Sequence, residues 1–151
     1  MARKQTEFLV IHCSATKPSM NIDIDTIDSW HRKRGFFSVG YHFVLKRDGT
    51  REIGRHIDEV GAHAKGFNHR SIGICLVGGV TQDDHTIPED NFTKEQWAEL
   101  NILLEELIHT FPDVKVIGHN QISHKDCPSF DVQTYLKDKS FKESGCKEPL
   151  S

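Results

Sequence analysis

Two histidines and a cysteine carry the strongest chemical signal in the chain. His12 directly follows the apolar run Phe8-Leu9-Val10-Ile11, and His119 follows the run from Val114 to Ile117. Cys127 lies eight residues beyond His119, in a stretch that reads as a loop. Strand ends are where α/β sheets gather their sites, so both histidines can face one cleft and Cys127 can fold back onto it. Two imidazoles and a thiolate leave one corner of a tetrahedral zinc open for water, the pattern of a catalytic rather than a structural site. Zinc lowers the pKa of such a water toward ~7 and makes hydroxide available near neutrality. Spacing by itself leaves Cys13, His42, His63 and His124 as competing ligands. It is equally compatible with histidines that only bond neighbouring loops and with Cys127 as a small buried hydrophobe.

The elements that hold these residues can be read from apolar periodicity. Phe8–Ile11 is apolar on both faces, which predicts a central strand covered on both sides. Ile24, Ile27 and Trp30 recur at helical spacing, and Gly35 ends that helix. Tyr41–Arg47 reads as a strand, Asp48-Gly49 as a hairpin turn and Thr50–Ile53 as the returning partner. Gly54–Arg70 shows no period and contains His56, His63 and His69, so it is expected to be a long surface loop. Ser71–Val77 reads as a second buried strand. Thr93 and Gln96 form a capping-box pattern, with Phe92 and Trp97 as a hydrophobic staple. Behind them Trp97, Leu100, Leu103, Leu104, Leu107, Ile108 and Phe111 make one apolar stripe, which Pro112 ends. A short strand over Val114–Ile117 and a short helix from Asp131 follow.

This alternation predicts an α/β fold: one domain over 1–151 with a central mixed sheet flanked by helices. Its core spans about 6–137, with a polar, loosely held tail over 138–151. A chain of 151 residues buries enough surface to need no disulfide staples. Its formal charge of −3, from 19 basic and 22 acidic side chains, speaks against a nucleic-acid partner bound on a broad basic surface. No stretch reaches the length of a membrane span. The apolar run after the basic start is too short for a signal-peptide core, so a cytoplasmic location with free thiols is expected. Ten histidines add a mild hint of proton or metal chemistry.

A series of motifs makes the reading more specific. His-Cys-Ser-Ala-Thr-Lys-Pro stands at 12–18, Val-Gly-Tyr-His-Phe at 39–43 and Lys-Arg-Asp-Gly-Thr at 46–50. His-Ala-Lys-Gly at 63–66, Asn-His at 68–69, Ser-Ile-Gly at 71–73, Cys-Leu-Val-Gly-Gly at 75–79 and Cys-Pro-Ser-Phe-Asp at 127–131 follow in order. Over about residues 8–136 the chain resembles the lysozymes of the T-seven-type phages. Despite their name, these are N-acetylmuramoyl-L-alanine amidases related to the peptidoglycan recognition proteins. The resemblance implies that fold, one Zn2+ held by His12, His119 and Cys127, and catalytic roles for Tyr41 and Lys125. It puts His63 and Asn68 beside a substrate groove, with His63 against the peptide stem or the zinc-bound water.

The activity implied is that of an endolysin, hydrolysing the amide between N-acetylmuramoyl residues and L-alanine in bacterial peptidoglycan. The Cys127 ligand favours an enzyme over the non-catalytic peptidoglycan-binding modules of the same family. A second implied partner is the phage RNA polymerase, inhibited on binding. The expected molecule is a monomer without stable membrane association. It is retained in the host cytoplasm until the inner membrane is permeabilised.

Overall fold

Residues 8–11 are apolar on both faces because they run through the middle of a sheet. The computed structural model describes residues 1–139, in which Phe8–Cys13 forms β1. β2 (Phe43–Leu45), β3 (Arg51–Ile53), β4 (Ser71–Leu76) and β5 (Lys115–Gly118) complete a mixed sheet ordered β3-β2-β4-β1-β5. β1 is parallel to β4 on one side and β5 on the other, β2 is parallel to β4, and only β3 is antiparallel. The register sets Ile11 beside Ile74 and Gly118, and His12 beside Cys75.

Strand alternation divides the side chains between two faces. Leu9, Ile11, Phe43, Leu45, Ile72, Ile74 and Leu76 point to the face covered by α2 (Lys94–Thr110) and α3 (Val132–Asp138). α2 contributes Leu100, Leu103, Leu104, Leu107 and Ile108, the stripe expected from the sequence. Its start is the predicted capping box: Thr93 Oγ1 accepts from Gln96 N at 3.1 Å, and Thr93 N donates to Gln96 Oε1 at 3.0 Å. The Phe92 and Trp97 rings meet edge to face at 5.7 Å. Gln96 is fully buried, and its amide donates to Leu45 O and Val77 O at 3.0 and 2.9 Å, satisfying carbonyls at the ends of β2 and β4.

The opposite face is covered by α1 (Ile24–Lys33) and by the segment from Gly54 to Arg70. α1 starts at Asp23, whose side chain accepts from Thr26 N, and Gly35 follows its end with φ +97°. The buried residues of α1 are Ile27 and His31, whereas Trp30 keeps 37% of its surface exposed. The inward stripe therefore runs one position past the expected Trp30, to an imidazole.

Two further expectations are corrected. The strand read over Tyr41–Arg47 is regular only over Phe43–Leu45. Tyr41 and His42 stay paired more loosely, with His42 N donating to Gly73 O at 2.9 Å and Arg55 N to Tyr41 O at 3.0 Å. The Gly54–Arg70 segment is not a surface loop. It folds across the sheet, burying Arg55 and Ala64, and turns through a short 3-10 helix at Asn68–Arg70. Arg55 stands in for regular pairing by donating to Val39 O and Val60 O, both at 2.9 Å. The hairpin at Asp48-Gly49 is as expected, with Gly49 at φ +87°. The tail beyond Lys139 lies outside the described residues. Among the described residues no helix is long and apolar enough to cross a membrane.

Candidate metal centre

His12 is the last site-facing residue of β1, and alternation turns it away from α2, toward α1. His119 opens the 3-10 turn His119–Gln121 directly after β5, the strand beside β1. Cys127 returns in the loop that follows. Its sulfur accepts from Cys13 N at 3.2 Å and lies 3.7 Å from His12 Nδ1. The His12 and His119 rings are 4.5 Å apart. One ligand atom from each of His12, His119 and Cys127 falls within 4.8 Å of the others, a spacing able to chelate one metal ion.

The donor set fits zinc. With Zn–N near 2.0–2.1 Å and Zn–S near 2.3 Å, a tetrahedral ion separates a nitrogen from a sulfur by about 3.5 Å. The 3.7 Å between His12 Nδ1 and Cys127 Sγ matches that edge. Burial holds the His12 imidazole well below the ordinary histidine range, with His63, His119, Lys125 and His31 adding to the effect. Burial also lowers His119, helped by Lys125. Both rings are thus held neutral, the form able to coordinate a metal. A hydrogen bond with the Cys13 side chain, together with burial, pushes the Cys127 thiol up, against the lowering effect of the bond from Cys13 N. A divalent cation beside the sulfur reverses that preference by favouring the thiolate.

The structure separates these three residues from the four competitors. His42 has both nitrogens occupied: Nδ1 accepts from Gly73 N at 3.0 Å, and Nε2 donates to Glu59 O at 2.7 Å. Cys13 packs with the α2 side, its sulfur 3.8 Å from Ser129 Oγ and its side chain bonded to Cys127, and it is not among the three residues whose ligand atoms converge. His63 lies with Nδ1 2.9 Å from His12 Nε2 and Nε2 3.3 Å from Ser71 Oγ. His124 is exposed at the rim.

The centre opens into a groove of about 860 Å³. Tyr41, His63, Asn68 and Lys125 all line it, so every site residue expected from the sequence reaches one cavity. The Tyr41 ring packs 5.0 Å from His12 and 5.4 Å from His31. Burial raises the Tyr41 phenol well above its ordinary value, and the thiols of Cys75, Cys127 and Cys13 add to this, so it remains a hydrogen-bond donor. Asn68 Oδ1 accepts from His63 N at 2.7 Å and Ala64 N at 2.8 Å, so that oxygen is spent on holding the loop. His31 and Arg34 of the groove were not singled out from the sequence. The stripe Ile24, Ile27, His31 continues at helical spacing and would have marked His31, whereas Arg34 carries no such signal.

Fold and site define a class: an α/β protein with a candidate metal centre at the carboxyl ends of parallel strands, its side chains able to chelate one metal ion. Residues 2–130 match the family described as N-acetylmuramoyl-L-alanine amidase. The endolysin of Escherichia phage T7 is 46% identical over 133 residues, covering 88% of this chain and 87% of that protein. The N-acetylmuramoyl-L-alanine amidase LysC of Clostridium intestinale superposes with a TM-score of 0.77 at 26% identity, over 90% of this chain and 86% of that one. Drosophila PGRP-LB shares the fold, with a TM-score of 0.77 at 20% identity, over 97% of this chain and 86% of that one. The chain belongs to the N-acetylmuramoyl-L-alanine amidase family and is a catalytic amidase.

Proposed function

We propose that this amidase is a zinc endolysin that cuts the amide joining the lactyl group of N-acetylmuramic acid to L-alanine in bacterial peptidoglycan. The observation that carries the reading is the convergence of His12, His119 and Cys127 from opposite ends of the chain onto one point. Zinc bound there supplies the Lewis acidity that activates water and a carbonyl near neutral pH.

The other roles belong to the chain's own groups. As the amide carbon becomes tetrahedral, negative charge grows on its oxygen, and a fixed cation or donor nearby lowers that barrier. Lys125, exposed at the groove and near enough to act on both histidine ligands, is read as that cation. Tyr41, kept a neutral phenol by its burial, is read as the donor that orients the water or bonds the oxyanion. The groove lining supports an acidic substrate. It contains Arg34, Lys65 and Lys125 but no aspartate or glutamate, in a chain whose formal charge is −3. A stem peptide bearing carboxylates suits such a surface.

Digestion of purified peptidoglycan tests the reading. New L-alanine amino termini and free lactyl groups are expected, lost with a chelator and restored by zinc. New reducing sugar ends would overturn the amidase assignment. Full cleavage after metal removal would overturn the role of zinc.

A further inference from the structure

Both ring nitrogens of His63 are engaged inside the protein. Nδ1 lies 2.9 Å from His12 Nε2, and Nε2 lies 3.3 Å from Ser71 Oγ. When two ring nitrogens approach this closely, one must carry a proton and the other must be bare. Which is which can be worked out from the far end of the chain of contacts.

Phe67 O is a carbonyl and only accepts. Ser71 Oγ lies 2.7 Å from it and has one proton to give. That proton goes to Phe67 O, so Ser71 turns a lone pair toward His63 Nε2. A lone pair facing Nε2 requires a proton on Nε2. His63 then has a bare Nδ1, which accepts from the proton on His12 Nε2. His12 is left with a bare Nδ1, the nitrogen 3.7 Å from Cys127 Sγ.

The ring is also held mechanically. A Cβ on Gly73 would lie 2.6 Å from His63 Cγ, and a Cβ on Gly61 2.7 Å from His63 Cδ2, so both positions admit the imidazole only as glycine. Asn68 Oδ1 fixes the backbone beneath it through His63 N and Ala64 N. The same ring thus has two glycine gaps, a backbone clamp and a one-way hydrogen-bond chain around it.

We propose that His63 is the positioning residue of the metal centre: with Ser71 and Phe67 O behind it, it fixes His12 as the Nε2–H tautomer and aims His12 Nδ1 at the metal. The proposal rests on the reading of His12, His119 and Cys127 as ligands. A metal-binding histidine whose other nitrogen is anchored in this way holds its ion more tightly, and loss of such an anchor typically weakens metal binding about 10–100-fold.

Nitrogen NMR of the imidazoles in wild-type protein, before and after zinc is added, reads the tautomers directly. His12 and His63 are both expected as Nε2–H forms, with zinc shifting chiefly His12 Nδ1 among the nitrogens of these two rings. Zinc-bound protein with the His63 proton on Nδ1 would overturn the proposal while leaving the metal site intact. Protein that takes up no zinc at all would overturn the metal reading, and the proposal with it.

Chelator competition gives the second readout. His63→Leu is expected to weaken zinc about 10–100-fold. His63→Asn, which keeps an acceptor oxygen close to the Nδ1 position, is expected to recover most of the loss. Wild-type affinity in folded His63→Leu, or no recovery in His63→Asn, would overturn the proposal. Should His63→Leu not fold, Ser71→Ala decides: it keeps the ring but removes its orienting partner, so a smaller loss of affinity is expected and an unchanged affinity is fatal.

Discussion

The two faces of the sheet are built to opposite rules. Toward α2, the strands present Leu9, Ile11, Ile72, Ile74 and Leu76, all fully buried against leucines of the helix. Toward α1, the same two strands present Val10 and His12, then Ser71, Gly73 and Cys75. Alternation along β1 and β4 therefore writes stability on one face and chemistry on the other. The site face accepts small and polar residues because the α2 face supplies a continuous apolar core. It is also where buried imidazoles accumulate, with His12, His31, His42 and His119 all buried.

The sharpest break in this contrast is Cys127→Ser. Activity and stoichiometric zinc are both expected to vanish while circular dichroism stays native. A metal-replete, active variant would remove Cys127 from the ligand set. Leu104→Ala does the reverse. A fully buried leucine replaced by alanine is expected to lower unfolding stability by about 2–5 kcal/mol in urea titration, with zinc affinity of the folded protein unchanged. Zinc loss in parallel would mean that the two faces are not separable.

Next come the groups proposed to act on substrate. Lys125→Ala and Tyr41→Phe are each expected to lower turnover about 10²–10³-fold, the usual effect of losing one oxyanion-stabilising group, with near-normal zinc content. Loss of metal in either would reassign that residue to the centre itself.

The last is a pH dependence confined to the site face. Burial depresses His42 to about 4 from 6.5. The unfolded chain takes up that proton between pH 6.5 and 4 and the folded chain does not, so His42 contributes fully above 6.5 and the contribution is lost as pH falls toward 4. The drop is about 3 kcal/mol across the window. NMR titration should show the His42 ring neutral until about pH 4. A midpoint near 6.5 would show instead that this histidine is not locked between Glu59 and Gly73.

Legibility in the sequence followed how local each signal is. α2 was fully legible, because capping box, staple and stripe all lie within one stretch of chain. The mixed sheet and the strand ends carrying His12 and His119 were legible from apolar runs. Tyr41 and Lys125 were not, since one tyrosine or lysine in isolation looks like any other; only the ordered motifs singled them out. The Gly54–Arg70 segment was read as surface because it has no period. Its burial comes with Arg55 and His42 bonding backbone groups of other segments and Asn68 clamping the segment's own backbone, which no repeat in sequence announces. For the same reason the contact of His63 with His12 was hidden. Gly61 and Gly73 acquire a meaning only once the ring between them is seen.

β1 lies between β4 and β5, so the first strand made is completed on its second side only by the last. His12 is therefore present almost from the start of translation, yet His119 and Cys127 emerge only when most of the chain has left the ribosome. A nascent chain, or one broken anywhere between β4 and β5, carries only one of the three residues able to chelate the metal. The order of the strands thus makes the candidate metal centre one of the last features of the fold to be completed.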